Sequence, residues 1–552
     1  MPTVENRLLL QAFEWHTPSQ PPAPHETHSP NSLWSRLNRV LPHLANLGVT
    51  SIWLPPGCKA NNPNSNGYDC YDLWDLGEFD QKWARSTHWG SREELQDLLD
   101  TARKSGDNGI DIIWDAVLSH KTAGDATEET WAVEVDKDDR RVETCRPRMI
   151  EAWLKYDFPG REREGMKYSA FRWRAEHFNG TDWDQKAQKN AIFKLIDDPA
   201  TLRPGKNWAD DVTTEELGNY DYLMFSNIYY KHPDVREEIL RWGRWMVTDV
   251  GIPNFRLDAA QHISRNFIRD WIAVVQATSR DKYGRDAMII GEIWCPHVSR
   301  QIRWLDAVTP PDSSAVLAYT YDTPLLNSFS RVSGDVLIGS RNADLRTLLS
   351  GPGHPDGRAL VSLRPAQAVT CVSNHDTQAG QSSFTPIDSS LKALFYAFIL
   401  LRQDGLPCVF WGDLVGIQGP HAEGPACKVP ISSSERKTAY ESGSQPPMTD
   451  GVLPSLMLAR RYFAYGPQRD YFDSMSCIGW TRAGTADRPG CVVIMSIALH
   501  GMRTYKKMAA GCAGERWVDV LQKEEDRAVV SNQKCTHVQD NPNPNPNADQ
   551  TT

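Results

Sequence analysis

Four polar clusters in this chain each follow a short apolar run, and together they hold the side chains best suited to chemistry. They are Asp111-Ile-Ile-Trp-Asp115-Ala-Val-Leu-Ser119-His120, Gly251-Ile-Pro-Asn-Phe-Arg256-Leu-Asp258-Ala-Ala-Gln261-His262, Gly291-Glu292-Ile-Trp294 and Ser373-Asn374-His375-Asp376-Thr377-Gln378. Asp258, Glu292 and Asp376 are carboxylates from three separate runs, with Arg256 two residues before the first of them. Two opposed carboxylates are what cleavage of a glycosidic bond requires: one attacks or activates water, and the other protonates the leaving oxygen. On an extended strand residues i and i+2 face the same side, so Arg256 should lie beside Asp258 and keep it ionised, which suits a nucleophile. Glu292 ends an apolar run near Trp294, where burial and neighbouring negative charge should raise its pKa toward that of an acid. Each cluster also has a plainer use. Acidic residues at strand ends often cap helices or sit solvated in loops, and His120, His262 and His375 could be hydrogen-bonded structural histidines. The order and spacing of the four clusters favour one shared site.

Bringing these residues together requires parallel strands that end on one side. Eight candidate strands, separated by helical patterns, run over Leu8 to Phe13, Ser51 to Leu54, Ile110 to Asp115, Ile252 to Leu257, Ala287 to Glu292, Leu317 to Tyr321, Ala368 to Ser373 and Pro407 to Phe410. Alternation of this kind predicts an α/β fold, a closed (β/α)8 TIM barrel with its reacting groups at the C-terminal face. Leu33, Leu37, Val40, Leu41, Leu44 and Leu47 mark one face of a helix that stops at Gly48, and Ser91 with Glu94 forms a capping box for the next. Residues 119–230 lack the alternation, are rich in Trp, Asp and Gly, and are too long for a bare loop. They are expected to form an inserted subdomain after the third strand, leaving the barrel to residues 1–118 and 231–465. Residues 418–450 are rich in Gly, Pro and Ser, a flexible excursion before a closing helix over Leu453 to Tyr462. Short β-like runs such as Cys491 to Ile497 predict a C-terminal antiparallel β domain over 466–540, and 541–552 reads as a disordered tail.

The 552 residues are 40% apolar and 24% charged, which excludes wholesale disorder. No stretch approaches the roughly 18 apolar residues of a membrane span. A net charge of -10 with no basic block argues against a nucleic-acid partner and for a neutral one. Twenty tryptophans supply flat amphipathic rings that serve as sugar platforms as well as core. The eleven cysteines are odd in number and form neither paired CxxC motifs nor a Cys/His zinc pattern, so reduced thiols are expected. Residues 1–7 have no leader pattern, and a cytoplasmic location is expected.

The four clusters resemble the four sequence regions of the α-amylase family, glycoside hydrolase family 13. The resemblance extends to Leu10-Gln-Ala-Phe-Glu14-Trp15, Gly67-Tyr68-Asp69-Cys-Tyr71-Asp72-Leu-Trp-Asp-Leu-Gly-Glu78-Phe79, Gly218-Asn-Tyr-Asp221-Tyr-Leu-Met224, Trp242-Gly-Arg-Trp245, Ala464-Tyr-Gly466 and Tyr471-Phe-Asp473. These motifs are similar to those of liquefying bacterial amylases and of intracellular fungal relatives, and they cover most of residues 7–520. The resemblance implies that Asp258 is the nucleophile, Glu292 the acid/base and Asp376 the carboxylate that holds sugar hydroxyls. It further implies that Arg256, His120, His375 and Tyr68 line the subsite of the sugar under attack, and that Gln261 stands at a position that contacts sugar on the leaving-group side; Trp294 is a further substrate-binding candidate. The implied reaction is retaining hydrolysis of internal α-1,4-glucosidic bonds in starch, glycogen-like glucan or malto-oligosaccharide, with a carboxyl separation of about 5 to 5.5 Å.

The departures from the family concern calcium, which liquefying amylases hold between barrel and insert. The usual ligand positions carry Ser119, Asn179, Asn227, Tyr229 and Lys231, with Ala209 at another, and Asp221 survives. Calcium wants six to eight oxygen ligands including carboxylates, so no metal is expected here, with Lys231 or water filling part of the site. Gln261 stands where the family commonly has Lys, and Ser373 replaces a usual Asp. Two rival functions remain open: 4-α-glucanotransfer, in which a sugar hydroxyl intercepts the same intermediate, and a regulatory protein tied to cell-wall α-glucan formation.

Overall fold

Eight parallel strands close into a barrel in which each pairs with its neighbours in sequence and the first pairs with the last. The computed structural model describes residues 6–498 apart from 24, 203–204, 310–315, 317, 352–353 and 427–450, and then 506–511, 516–517, 519–521 and 529–530. The barrel strands are Leu9–Gln11, Ser51–Leu54, Asp111–Ala116, Asn254–Leu257, Ile289–Gly291, Tyr319–Tyr321, Ala368–Cys371 and Leu406–Phe410. All eight candidate strands are present, and the observed ends differ from the expected ones by two residues or fewer. Leu9 opposite Cys408 closes the ring.

Alternation across each strand sorts the side chains into two cores. Leu9, Trp53, Ile113, Ile290, Tyr321, Val369 and Cys408 fill the interior, while Leu10, Ile52, Trp114, Phe255 and Ile289 face the surrounding helices. Continuing the inward parity past the last interior position puts Asp115, Arg256, Asp258 and Glu292 at the mouth of the barrel. The helices have the expected signals. Helix Leu33–Asn46 starts at Ser32, whose side chain accepts from Ser35 N, and Gly48 follows it at φ +93°. Helix Arg92–Lys104 carries the capping box of Ser91 and Glu94. Helix Val452–Phe463 closes the barrel: Arg460 donates to the Arg7 carbonyl, and Arg461 to the carbonyls of Ala45 and Asn46.

The insert is a six-stranded antiparallel sheet that the sequence pattern does not reveal. Its strand order is His120–Lys121, Ser226–Ile228, Phe178–Asp184, Lys189–Leu195, Ala126–Glu134, Arg148–Lys155. Because His120 begins this sheet four residues after the third barrel strand ends, the insert grows directly out of the barrel mouth. Near the C-terminus Gln468–Tyr471, Cys477–Arg482 and Cys491–Ser496 form a three-stranded antiparallel sheet. Trp480 of its central strand is fully buried and donates to the Leu401 carbonyl, which docks this sheet on the barrel. The expected tail at 541–552 and most of the excursion at 418–450 lie outside the described residues. Among the described residues the cysteines are free thiols, and no helix is long and apolar enough to cross a membrane.

Candidate active site

Arg256 organises the barrel mouth. Its guanidinium is buried and donates from Nη1 to Asp115 Oδ1 at 2.8 Å and to Asp258 Oδ1 at 2.7 Å, while Nη2 lies 2.8 Å from Glu292 Oε2. The planar fork of arginine suits this task because it presents several donors in fixed directions. Glu292 Oε2 also accepts from Ala259 N at 2.7 Å, which fixes that oxygen and leaves Oε1 to face outward chemistry. Asp376 lies 3.2 Å from His375 Nε2. It reaches the other two through the field: its charge acts on both Asp258 and Glu292 and raises the pKa of each.

Burial is the largest influence on all three carboxyls and pushes each above its ordinary value, with Arg256 opposing. For Glu292 this agrees with expectation. For Asp258 the expected ionising effect of Arg256 is present, but burial outweighs it, and strand spacing alone does not reveal how deeply the carboxyl is buried. The site is not sealed, however: side-chain exposure rises from 11% at Asp258 and 15% at Glu292 to 30% at Asp376, so the carboxyls line an open mouth.

A second layer locks the first. Gln11 Nε2 donates to His375 Nδ1 at 3.0 Å, which leaves the proton on Nε2, 2.8 Å from the Tyr68 hydroxyl. That hydroxyl donates to Asp115 Oδ2 at 2.9 Å, and Trp53 Nε1 donates to the same oxygen at 3.0 Å. The histidine is neutral, since burial and the Arg256 charge push its pKa down to about 3. Tyr68 and His375 lie parallel within 4°, and Trp15 lies parallel to Tyr68 within 5°. Tyr68 thus presents a fixed aromatic face beside the carboxylates.

His120 is held at both ring nitrogens. Its Nδ1 lies 2.8 Å from Ser119 Oγ and its Nε2 lies 2.8 Å from the Tyr68 carbonyl, so both ring nitrogens are engaged within the protein. The second contact ties His120 to the backbone of Tyr68. Gln261 Oε1 accepts from Trp294 N at 3.1 Å, which ties the ends of the fourth and fifth strands together beside the half-buried Trp294 ring. Asp115 is the residue that sequence reasoning passed over. It stood in a quoted cluster, but nothing local marked it as the partner of Arg256.

The family described as "Alpha amylase, catalytic domain" matches residues 36–449, three quarters of the chain. The chain belongs to the α-amylase family. It is 34% identical over 530 residues to an α-amylase of Bacillus licheniformis, covering 96% of this chain and 90% of that protein. It is 36% identical over 485 residues to an α-amylase of Geobacillus stearothermophilus, covering 88% and 76%. To a protein of Escherichia coli named cytoplasmic α-amylase it is 34% identical over 528 residues, covering 96% and 95%. The solved structure of an α-amylase from Geobacillus thermoleovorans, complexed with acarbose, shares the fold at TM-score 0.50 and 14% identity, covering 88% and 86%. As a member of the α-amylase family the protein is a glycoside hydrolase. These relatives are bacterial and lend no support to the fungal affiliation that the resemblance suggested.

Where the α-amylase resemblance places calcium ligands, this chain has a hydrogen-bonded amide cluster. Asn179 Nδ2 donates to Asp221 Oδ2 at 2.7 Å, Ala209 N donates to the same oxygen at 2.9 Å, and the side-chain amides of Asn179 and Asn227 meet at 2.8 Å. Lys231 does not enter the cluster as expected. Its ammonium pairs with Asp210 at the surface, 2.7 Å away, and the Tyr229 hydroxyl donates to the Gly205 carbonyl. A donor set of amides around one carboxylate that already accepts two N–H bonds does not fit calcium's demand for six to eight oxygens.

Proposed function

We propose that the protein is a retaining endo-hydrolase of α-1,4-glucosidic bonds in starch- or glycogen-like α-glucans and malto-oligosaccharides. The observation that carries this reading is the single buried guanidinium of Arg256 shared by Asp258 and Glu292. Two carboxyls bonded to one fork are held on the same side of the barrel mouth; a double displacement calls for a carboxyl separation of about 5 to 5.5 Å.

In the first step the free oxygen of Asp258 attacks the anomeric carbon and forms a glycosyl ester. The bond from that carbon to the leaving O4 breaks as Glu292 gives O4 its proton. In the second step Glu292, now a carboxylate, takes a proton from water, and the water oxygen displaces Asp258 with the original anomeric configuration restored. Arg256 fixes Oδ1 of Asp258 and Oε2 of Glu292, so the remaining oxygen of each carboxyl faces the sugar. Asp376 holds hydroxyls of the same sugar, Tyr68 stacks on its ring, and His375 and His120 keep Tyr68 in place. Gln261 and Trp294 receive the leaving chain. Transfer to a sugar hydroxyl would use the same intermediate with another acceptor.

The amide cluster at Asn179, Asp221 and Asn227 supports a second part of the reading: the enzyme works without calcium. A cytoplasmic setting, consistent with the free thiols and with the name of the Escherichia coli relative, completes it. Incubation with a fluorinated α-maltosyl fluoride followed by peptide mass spectrometry tests the mechanism. A sugar adduct on the peptide holding Asp258 is expected; an adduct elsewhere, or none with a turnover-competent enzyme, overturns the assignment.

A further inference from the structure

The residue that follows Asp258 is bent into a conformation that its side chain disfavours. Ala259 has φ +46° and ψ 38°, the left-handed region where a Cβ crowds the backbone and glycine is the ordinary occupant. An alanine side chain forms no hydrogen bond to offset that strain, so the neighbours must hold it. Before it, Asp258 N donates to the Ala116 carbonyl at 3.0 Å, which keeps that residue in register with the third strand. After it comes the short 3-10 turn Ala260–His262, closed by His262 N on the Ala259 carbonyl at 2.9 Å. His262 is buried and anchored to the insert: its Nδ1 donates to the Tyr220 carbonyl at 2.5 Å, and the two rings stack with centroids 4.1 Å apart.

The bend directs one N–H. Ala259 N points across to Glu292 Oε2, 2.7 Å away, and Arg256 Nη2 lies 2.8 Å from the same oxygen. A carboxyl oxygen offers two lone pairs, and donors stand at both, so the acid proton of Glu292 belongs on Oε1. The same N–H acts on the acidity of the group. Burial lifts the Glu292 pKa and the charges of Asp258 and Asp376 add to that, while Arg256 and the Ala259 N–H oppose it; the neutral His375 faces it as well. Backbone strain retained beside reacting groups is a mark of function.

Resting on the assignment of Glu292 as the acid/base, we propose that the main-chain N–H of Ala259 is a positioning group for that carboxyl, and that His262 with Tyr220 is the clamp by which the insert keeps it aimed. The insert contributes none of the three carboxyls, yet through this turn it governs where the acid proton sits.

Replacing Ala259 by lactic acid, its α-hydroxy analogue, through nonsense suppression exchanges the N–H for an ester oxygen and leaves every side chain in place. With maltoheptaose as substrate, the alkaline limb of kcat/KM should move to higher pH by about 0.5 or more, and kcat should fall about tenfold or more. The sign follows from the chemistry: losing a donor to the carboxylate raises the Glu292 pKa, and Glu292 must be protonated to act. His262→Phe, which keeps a ring against Tyr220 and loses the Nδ1 donor, should move the limb the same way by a smaller amount. An unmoved limb in the ester protein, even with a lower kcat, would overturn the positioning role. An unmoved limb in a His262→Phe protein with wild-type circular dichroism would overturn the clamp. Glu292→Gln run alongside separates the two readings: an inactive variant beside an unmoved ester limb removes only this inference, whereas a fully active one overturns the acid/base assignment together with it.

Discussion

Arg256 Nη2 lies 2.8 Å from Glu292 Oε2, on the opposite nitrogen of the guanidinium from the one that holds Asp258. One rigid group therefore sets the positions of both carboxyls on which a double displacement depends. A compact ammonium on a flexible stem cannot span the same three carboxylates in fixed directions.

Arg256→Lys should accordingly keep the charge and lose the geometry. We expect kcat/KM to fall by about 100- to 1000-fold, the usual loss when one preorganised electrostatic element is removed, with the barrel still folded by circular dichroism. A variant within threefold of wild type would show that the fork is dispensable.

The field of Asp376 has a sign that can be measured. Its negative charge raises the pKa of Asp258 and of Glu292. Asp258 must be ionised, so activity falls as pH drops through its pKa; Glu292 must be protonated, so activity falls as pH rises through its own. Removing the charge with Asp376→Asn lowers both values, and the whole bell-shaped profile of residual kcat/KM should move to lower pH. An unmoved profile, or one displaced to higher pH, would contradict this account of the three carboxyls.

The amide cluster makes a prediction about metal. Asn179 and Ala209 satisfy Asp221 with N–H donors, so chelation should remove nothing from the folded state. Excess EDTA should leave activity intact and move Tm by less than about 1 °C, because a ligand that does not bind the native state adds no stability. A Tm that drops in EDTA and returns with added calcium would refute calcium independence.

Much of the site was legible because strand parity is local. Arg256 and Asp258 are two residues apart, and they meet as spacing alone requires. Asp115 was not legible: it faces Arg256 across the register of the third and fourth strands, a pairing between residues 141 apart in sequence. Register between parallel strands depends on packing of the whole barrel, and no short segment carries it. The insert was expected as a subdomain, but its strand pairing was not legible for the same reason, since His120–Lys121 pairs with Ser226–Ile228 across a hundred residues of chain. Lys231 was misplaced because charge at an aligned position does not say where a long side chain points. Asp258 shows the converse limit, since its neighbour was read correctly but its burial was not.

Backbone packing next to the acid/base should also matter. Gly291 directly precedes Glu292, and a Cβ there would come within 2.1 Å of Trp304 Cη2. Gly291→Ala should destabilise the protein by about 1 to 3 kcal/mol by overpacking, seen as a lower urea midpoint, and should reduce kcat by displacing Glu292. Pairing it with Trp304→Phe should recover part of the stability; equal midpoints for wild type and Gly291→Ala would show that the ring gives way freely.

The most direct test of the retaining mechanism is proton NMR of the anomeric signals released from maltoheptaose by the purified enzyme in EDTA, with Glu292→Gln alongside. The account predicts that the α-anomer appears first, mutarotates later, and is abolished in the variant. Early release of the β-anomer, or release that survives Glu292→Gln, would contradict it.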